Sequence, residues 1–309
     1  MSDPGTPTFD QLRIFLTVVD EGSFASAARR LNRAVSVVSY GIANLEAQLG
    51  IVLFDREGTR RPRLTEAGRS VLAEARTVAG GIDGLKAKVK GLLDGLEAEV
   101  HLAVDVMLPA RRLGQVLRAF AATYPTVTLR LHVEALGAVA GHVLSGTAIV
   151  GVSGPLASGI DGLEAASVGS VAMVPVAAPD HPLARYEQIP SGAGREHVQL
   201  VLTDRSPLTD GRDFAVVSPR TWRLADLGAK HQLLREGIGW GNMPLPLIEP
   251  DLVAGTLKRL VMPDDPGGMY RFSGIWRRDR PPGPAASWLI REFVDRALGD
   301  VDLAGARDL

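Results

Sequence analysis

The chain of 309 residues contains no cysteine. That absence removes disulfides, thiolate zinc sites and cysteine nucleophiles together, and it is compatible with a reducing compartment. Net charge is nearly absent as well, because 34 Lys and Arg face 35 Asp and Glu. The overall balance gives no support to a general polyanion binder, so any nucleic-acid contact has to come from charge concentrated locally. No apolar run approaches the roughly 20 residues needed to span a bilayer. The first residues, Met1-Ser2-Asp3-Pro4-Gly5, lack the basic and apolar segments of a secretion signal. The expectation is a cytoplasmic protein with no membrane partner. Catalytic fingerprints are missing too. The six histidines show no metal-ligand spacing, and there is no Gly-x-Ser-x-Gly, phosphate loop or dinucleotide motif. Asp264-Asp265 is a carboxylate pair, but it lies in a Pro/Gly-rich stretch that reads as a solvated turn. No catalytic residue, metal or cofactor is therefore expected.

What the chain does have is length for two or three domains and an ordinary apolar fraction of 46%. It also has a local charge excess. Residues 25–69 hold eight Arg against four acids, a local net of +4. This fits a DNA-binding head on a neutral body.

The head is the most informative segment. Leu12, Phe15, Leu16 and Val19 recur at helical spacing and predict a helix over 9–20. Ser23 suits the N-cap of a second helix whose face is Ala25, Ala28 and Leu31, and Asn32-Arg33 forms the turn. Val38, Ile42, Leu45 and Leu49 form the buried stripe of a third helix ended by Gly50. The opposite line carries Ser36, Ser39, Tyr40 and Asn44, small or hydrogen-bonding residues suited to a groove and its base edges; a merely solvated face is the other reading. Residues 51–54 read as a short apolar strand, 55–62 as a charged turn with Arg56, Arg60 and Arg61, and Arg63-Leu64 as the return strand. A basic tip of this kind suits phosphate or minor-groove contact. The whole is a winged helix-turn-helix.

The motifs Gly22-Ser23-Phe24, Ala27-Ala28-Arg29-Arg30-Leu31, Leu45-Glu46, Leu53-Phe54-Asp55-Arg56 and Leu64-Thr65-Glu66-Ala67-Gly68 occur together at fixed spacing. They resemble the LysR-type transcriptional regulators, tightly over the head and loosely over most of the remaining chain. The sequence departs from the family at Ala34-Val35-Ser36, where a Ser-Gln-Pro segment is common, and at Tyr40-Gly41, where a basic and a longer polar residue are common. All these positions are expected on the base-reading surface. The DNA-binding candidates are Ser23, Ser36, Ser39, Tyr40, Asn44, Arg56, Arg60, Arg61 and Arg63.

Residues 65–96 predict a long helix capped by Thr65, with apolar residues in heptads. Val71, Val78, Leu85 and Leu92 interleave with Ala75, Ile82, Val89 and Leu96 as in a coiled-coil seam. Such a stripe buries itself against a second copy or against its own downstream domain. The resemblance implies a homodimer through this helix, or a homotetramer, so that two heads read an inverted-repeat site in double-stranded DNA.

From 97 onward strands and helices alternate. Strands are expected at 100–104, 127–133, 148–152, 171–178, 197–202, 214–217 and 270–276, and helices at 113–124, 139–144, 225–236 and 284–298. The initial βαβαβ order argues for a parallel sheet, and ligands bind beyond the carboxyl ends of such strands. The strand ends nominate Val106, Met107, Leu108, Ser153, Gly154, Thr203, Asp204, Ser218, Thr221, Trp222 and Asn242 as effector contacts. Each of these is also an ordinary turn-former or core residue, and Trp222 and Trp240 read as core.

The fold class expected is α/β, with an N-terminal winged helix-turn-helix (1–65), a linker helix (66–96) and a body (97–300) before a tail (301–309). The resemblance implies that the body is a two-lobed, periplasmic-binding-protein-like effector domain. Lobe I would be 97–167 and 269–300, lobe II would be 168–268, and crossovers would lie near 167–170 and 265–270. It also implies a small-molecule effector and RNA polymerase as partners. Two rivals stay open on the residues alone: a small-molecule binding protein whose head serves only in dimerisation, and an α/β enzyme.

Overall fold

The computed structural model describes residues 6–55, 62–157, 159–204 and 206–296. The expected basic tip with Arg56, Arg60 and Arg61, and the tail 301–309, lie outside the described residues. The chain divides into two compact units, 1–90 and 91–309.

The first unit runs α1 (Phe9–Glu21), α2 (Phe24–Leu31), α3 (Val35–Leu49), β1 (Phe54–Asp55), β2 (Arg63–Leu64) and most of α4 (Glu66–Leu93). Local chemistry sets each start. Thr8 and Gln11 form a reciprocal capping box on α1, with Thr8 N–H donating to Gln11 Oε1 at 2.7 Å. Ser23 Oγ accepts from Ser26 N–H at 3.1 Å and starts α2. Asn32, left-handed at φ 53°, stops α2, and Arg33 ties the turn to α1 by two bonds to Asp10 of 2.6 and 2.9 Å. Thr65 Oγ1 accepts from Gly68 N–H at 2.9 Å and donates to the Val52 carbonyl at 2.7 Å, so it caps α4 and anchors the hairpin.

Phe15, Val18, Ala27, Ala28, Val38, Ile42, Leu45, Leu53, Phe54 and Ala75 form one core, with Phe54 edge-on to Phe15 and Phe24. Packing corrects four expectations. Leu49 is exposed, so the buried stripe of α3 ends at Leu45. Gly41 is buried, and a Cβ there would come within 2.8 Å of Ile14 Cδ1; it permits close approach of α1 and α3 and is no part of a reading surface. The apolar strand expected at 51–54 shrinks to Phe54–Asp55. Glu46 Oε1 takes the N–H groups of Leu53 and Phe54 at 2.8 and 3.2 Å, so that backbone is bonded to a side chain instead of a strand partner. Val71 packs half-buried against this core and Ala75 is buried in it, so the head itself engages both. Val78, Leu85, Val89 and Leu92 remain exposed on α4.

The second unit runs β3 (Glu99–Asp105), α5 (Ala110–Thr123), β4 (Thr128–Glu134), α6 (Gly137–Leu144), β5 (Val150–Ser153), β6 (Leu163–Ala177), β7 (Gln199–Leu202), β8 (Thr221–Leu224), α7 (Leu227–Arg235), β9 (Trp240–Pro244), α8 (Leu245–Ala254), β10 (Lys258–Arg259), β11 (Gly268–Arg277) and α9 (Pro284–Asp295). The main sheet order is β4-β3-β5-β11-β6-β9-β7-β8, with β10 also on β6. β3 pairs parallel with β4 and β5, as the alternating pattern predicts. β6 and β11 pair antiparallel from Gly268↔Met173 to Arg277↔Leu163, with an irregularity that leaves Val168 unopposed. The segments expected as crossovers near 167–170 and 265–270 thus include paired strand. No strand forms at 214–217; the strand is β8, because β7 offers its free edge to Thr221–Leu224 in parallel register. α8 and β10 were not foreseen.

Asp105, at the end of β3, organises the middle of this unit. It is 1% exposed and accepts from Met107 N–H at 2.9 Å and from the Tyr270 hydroxyl at 2.7 Å. The amides of Gly154 and Leu136 also bond to it, which joins the ends of β3 and β5 to the start of α6 and to β11. Leu136 holds φ 48° there. Burial pushes the Asp105 carboxyl up to about 6 against the opposing pull of those four donors.

Two outcomes follow from this packing. A methyl at Gly68 would land on the Leu53 carbonyl oxygen. Gly68→Ala is expected to destabilise the first unit by about 1–3 kcal/mol, read as faster hydrogen exchange in α1–α3. Tryptophan fluorescence should not change, since all four Trp lie beyond residue 220. For Asp105 the folded pKa lies above the unfolded value, so the folded unit holds this proton more tightly than the unfolded chain does. Stability therefore falls as pH rises from about 4 to about 6. The stability of wild type minus that of Asp105→Asn should drop across that window by up to about 3 kcal/mol and be flat on either side. A difference that rises or stays level there would contradict the assignment.

Candidate functional site

Two surfaces carry chemistry, one in each unit. In the first, α3 keeps Val38, Ile42 and Leu45 in the core and turns Val35, Ser36, Val37, Ser39, Tyr40 and Ala43 outward. Tyr40 is 69% exposed. Asn44 is half-buried at the edge of that face, and Arg63 stands exposed on β2. Ser23 is half-buried with its hydroxyl engaged as the α2 cap. The N-terminus of α3 has no side-chain cap, because Ala34 has no acceptor to offer. The face is a mixture of methyls and hydroxyls, without the long amide or guanidinium groups that form two-pronged base contacts.

In the second unit, a cavity of ≈ 220 Å³ opens where the β3–α5 and α6 side of the sheet meets the β7–β9 side. Met107 and Leu136 line it from the first side, and Met173, Leu200 and Phe214 from the second, with Tyr270 of β11 between. Four polar side chains also face it: Gln199, Lys230, Asn242 and Asp265.

Gln199 spends three of its four hydrogen-bonding positions on the protein. Its Nε2 donates to the Ala215 carbonyl at 2.7 Å, and its Oε1 accepts from Val217 and Ser218 N–H at 2.9 and 3.0 Å. This clamp holds the 213–218 loop, with Ala215 at φ 51°, against the cavity rim. Lys230 is 3% exposed and makes one described hydrogen bond, Nζ to the Asn242 carbonyl oxygen at 2.8 Å. Burial pushes its ammonium down to about 8, opposed by the charge of Asp265. Asn242 Nδ2 donates to Asp265 Oδ2 at 2.6 Å, while Asn242 Oδ1 is buried with no partner. Asp265 is 6% exposed and accepts from Gly267 N–H at 3.3 Å, and burial raises its pKa.

Of the effector candidates read from strand ends, only Met107 and Asn242 line this cavity. Val106 and Leu108 belong to the apolar core. Ser153 is fully buried with its Oγ unpartnered, but it does not line the cavity, and the amide of Gly154 is bound to Asp105. Thr203 and Asp204 line a separate hollow with Glu134 and Asp226, and the Thr209 hydroxyl bonds to Asp204. Ser218 is structural: its hydroxyl meets the Arg195 and His197 carbonyls and the Arg220 N–H. Thr221 and Trp222 lie within β8, not beyond a strand end, and Trp222 is 51% exposed, contrary to the core reading; Trp240 is buried. Asp264-Asp265 divides between roles: Asp264 takes the exposed turn bonds to Ser191 and Gly192, and Asp265 turns inward. Lys230 was missed, although its position between Leu227 and Leu234 puts a cation on the buried stripe of α7. Among the described residues, no group of three or more His, Asp or Glu could hold a metal ion.

Residues 9–69 match the family model for the bacterial regulatory helix-turn-helix protein, lysR family, and residues 93–298 match the LysR substrate binding domain. The probable HTH-type transcriptional regulator YhaJ of Escherichia coli (strain K12) is 28% identical over 290 residues, covering 93% of this chain and 95% of its own. The HTH-type transcriptional activator AllS of Klebsiella pneumoniae is 29% identical over 264 residues, covering 83% and 94%. A solved full-length LTTR, LysG from Corynebacterium glutamicum with bound effector Arg, shares the fold at TM-score 0.50 and 24% identity, over 94% of this chain and 98% of that one. A helix-turn-helix head, a substrate-binding body and relatives that span both place the chain in one family: it belongs to the LysR-type bacterial transcriptional regulators.

Proposed function

We propose that this LysR-type regulator inserts α3 into the major groove of an inverted-repeat operator, as a dimer or tetramer, and responds to a small molecule held in the ≈ 220 Å³ cavity. In this reading residues 1–65 are the DNA-binding domain, 66–96 the linker and dimerisation helix, and 97–300 the effector domain, with lobes 97–167 plus 269–300 and 168–268. The observation that carries it is the division of α3 into a face locked in the core and a face of small and hydroxyl residues open to a partner. Ser36, Ser39, Tyr40 and Asn44 reach base edges, with the Val35 and Val37 methyls suited to thymine C5-methyl groups. Arg63, with Arg56, Arg60 and Arg61, meets phosphates, and the Ser23 hydroxyl still has a proton to donate to one. RNA polymerase is the downstream partner, and the site of action is the cytoplasm. No described helix is long and apolar enough to cross a membrane.

Oligomerisation follows from α4. Val78, Leu85, Val89 and Leu92 are all exposed, Leu85 by 61%, and they follow one another at steps of seven, four and three, the spacing of a heptad seam. Val71 and Ala75 drop out of this seam because the head uses them. The bound Arg of LysG supports the idea that a compact polar molecule is read by the same kind of domain.

Two measurements test this reading. In an anisotropy titration with DNA upstream of its own gene, binding should prefer specific sequence and weaken with salt. Tyr40→Ala should cost about 1–3 kcal/mol on the specific site and leave non-specific binding unchanged. Equal weakening on all sequences would confine Tyr40 to the backbone, and no sequence preference at all would remove the operator model. Leu85→Glu should shift the sedimentation coefficient towards the monomer. An unchanged oligomer would place the interface elsewhere.

A further inference from the structure

The cavity holds polar capacity that the protein itself leaves unused. Lys230 has three N–H donors and gives one, to the carbonyl of Asn242. Asn242 Oδ1 is buried and accepts nothing. Lys230 Nζ is bonded to the main-chain oxygen of Asn242 itself, so the free donors and the free acceptor belong to one part of a wall that also carries Met107, Leu136, Met173, Leu200 and Phe214. A buried donor or acceptor left unmade is costly, and here one cation and one amide oxygen are both incomplete.

We propose that the cavity takes a small monocarboxylic acid with an apolar body and one hydrogen-bond donor next to the carboxylate, the pattern of a 2-hydroxy acid. The inference rests on the reading of this cavity as the effector site and adds the chemical class. The carboxylate meets Lys230, and the adjacent O–H donates to Asn242 Oδ1. Other classes fit worse. An amine would set a second cation beside Lys230. A neutral hydrocarbon would leave Lys230 and Asn242 Oδ1 unmatched. A dianion would bring its second charge to a wall whose other acidic side chain is the carboxyl of Asp265. The volume also limits size, since pockets for drug-sized molecules run to roughly 300–1,000 Å³ and this one is ≈ 220 Å³. Lys230 remains largely protonated at neutral pH, as the pairing requires.

The test uses the full chain at pH 7 with four probes matched in ring size: mandelate, phenylacetate, benzyl alcohol and benzylamine. Calorimetry and thermal shift are the readouts. Mandelate should bind, and phenylacetate should bind on the order of tenfold more weakly, because it lacks the donor to Asn242 Oδ1. The alcohol and the amine should not bind measurably. Lys230→Met should weaken mandelate on the order of 10- to 100-fold, the range of a charge-assisted hydrogen bond. The wild-type panel decides even where that variant fails to fold. The inference is overturned if neither acid binds at millimolar concentration, if benzyl alcohol or benzylamine binds as well as mandelate, or if Lys230→Met leaves mandelate binding unchanged. Leu200→Trp, which fills the cavity, separates the two levels. Amine or alcohol binding that this variant abolishes keeps the cavity as the effector site and discards the acid. Binding of any probe that ignores Leu200→Trp discards the cavity itself.

Discussion

The antiparallel pairing of β6 with β11 is the constraint on which the second unit depends. β11 bonds on its other edge to β5, and β6 bonds on its other edge to β9. Both halves of the sheet therefore hang on this pair. Its register sets Met269 opposite Ala172 and Tyr270 opposite Val171, and so decides which side chains of the two strands face the cavity. A slip of one residue would turn Tyr270 to the other face and break its bond to Asp105. The register shifts between Phe272 and Ser273, leaving Val168 unopposed, an irregularity of the kind that bends and twists a strand pair locally.

Around that pair the unit buries two polar arrangements and treats them differently. Asp105 is costly to bury, yet its donors come from four separate segments, so the carboxyl links them together. That arrangement is complete and structural. Lys230, Asn242 and Asp265 line the cavity, and their arrangement is incomplete. A fold selected for stability alone gains little from a buried ammonium with one described hydrogen bond, and an apolar residue of similar shape at 230 would be at least neutral. Incomplete satisfaction in a concave site is what distinguishes a ligand position from a core network.

Legibility in the sequence followed the range of the interactions. The head was readable because caps and turns act over three or four residues: Ser23, Asn32, Gly50 and Thr65 all do what their local chemistry predicts. Gly41 was misplaced because its role depends on Ile14 of another helix, a contact no periodicity reveals. The strand pattern of the βαβαβ segment was equally plain, but the edge strand β8 was not. Its exposed residues carry little apolar signal, and its partner β7 is 22 residues earlier. The cavity was harder still. Ser and Gly at strand ends attract attention as turn formers, and most of those here are turn formers or core. The charged residues that line the site are a Lys on the buried stripe of α7 and the second Asp of an apparently solvated pair, and burial is what singles them out.

The location of the cavity bears on how an effector acts. A molecule that touches Met107 and Leu136 on one side and Lys230 and Asn242 on the other has its binding free energy tied to the separation of those sides. It therefore favours whichever spacing lets both sets of contacts form, and it shifts the population by no more than its preference for that spacing. A tenfold preference is worth about 1.4 kcal/mol, similar in size to one charge-assisted hydrogen bond of the kind Lys230 leaves open. The incomplete ammonium is thus large enough to set the bias by itself, provided the ligand reaches it from the far wall. A ligand held only by the apolar residues of one side could bind tightly and change nothing, because it would bind both arrangements equally well.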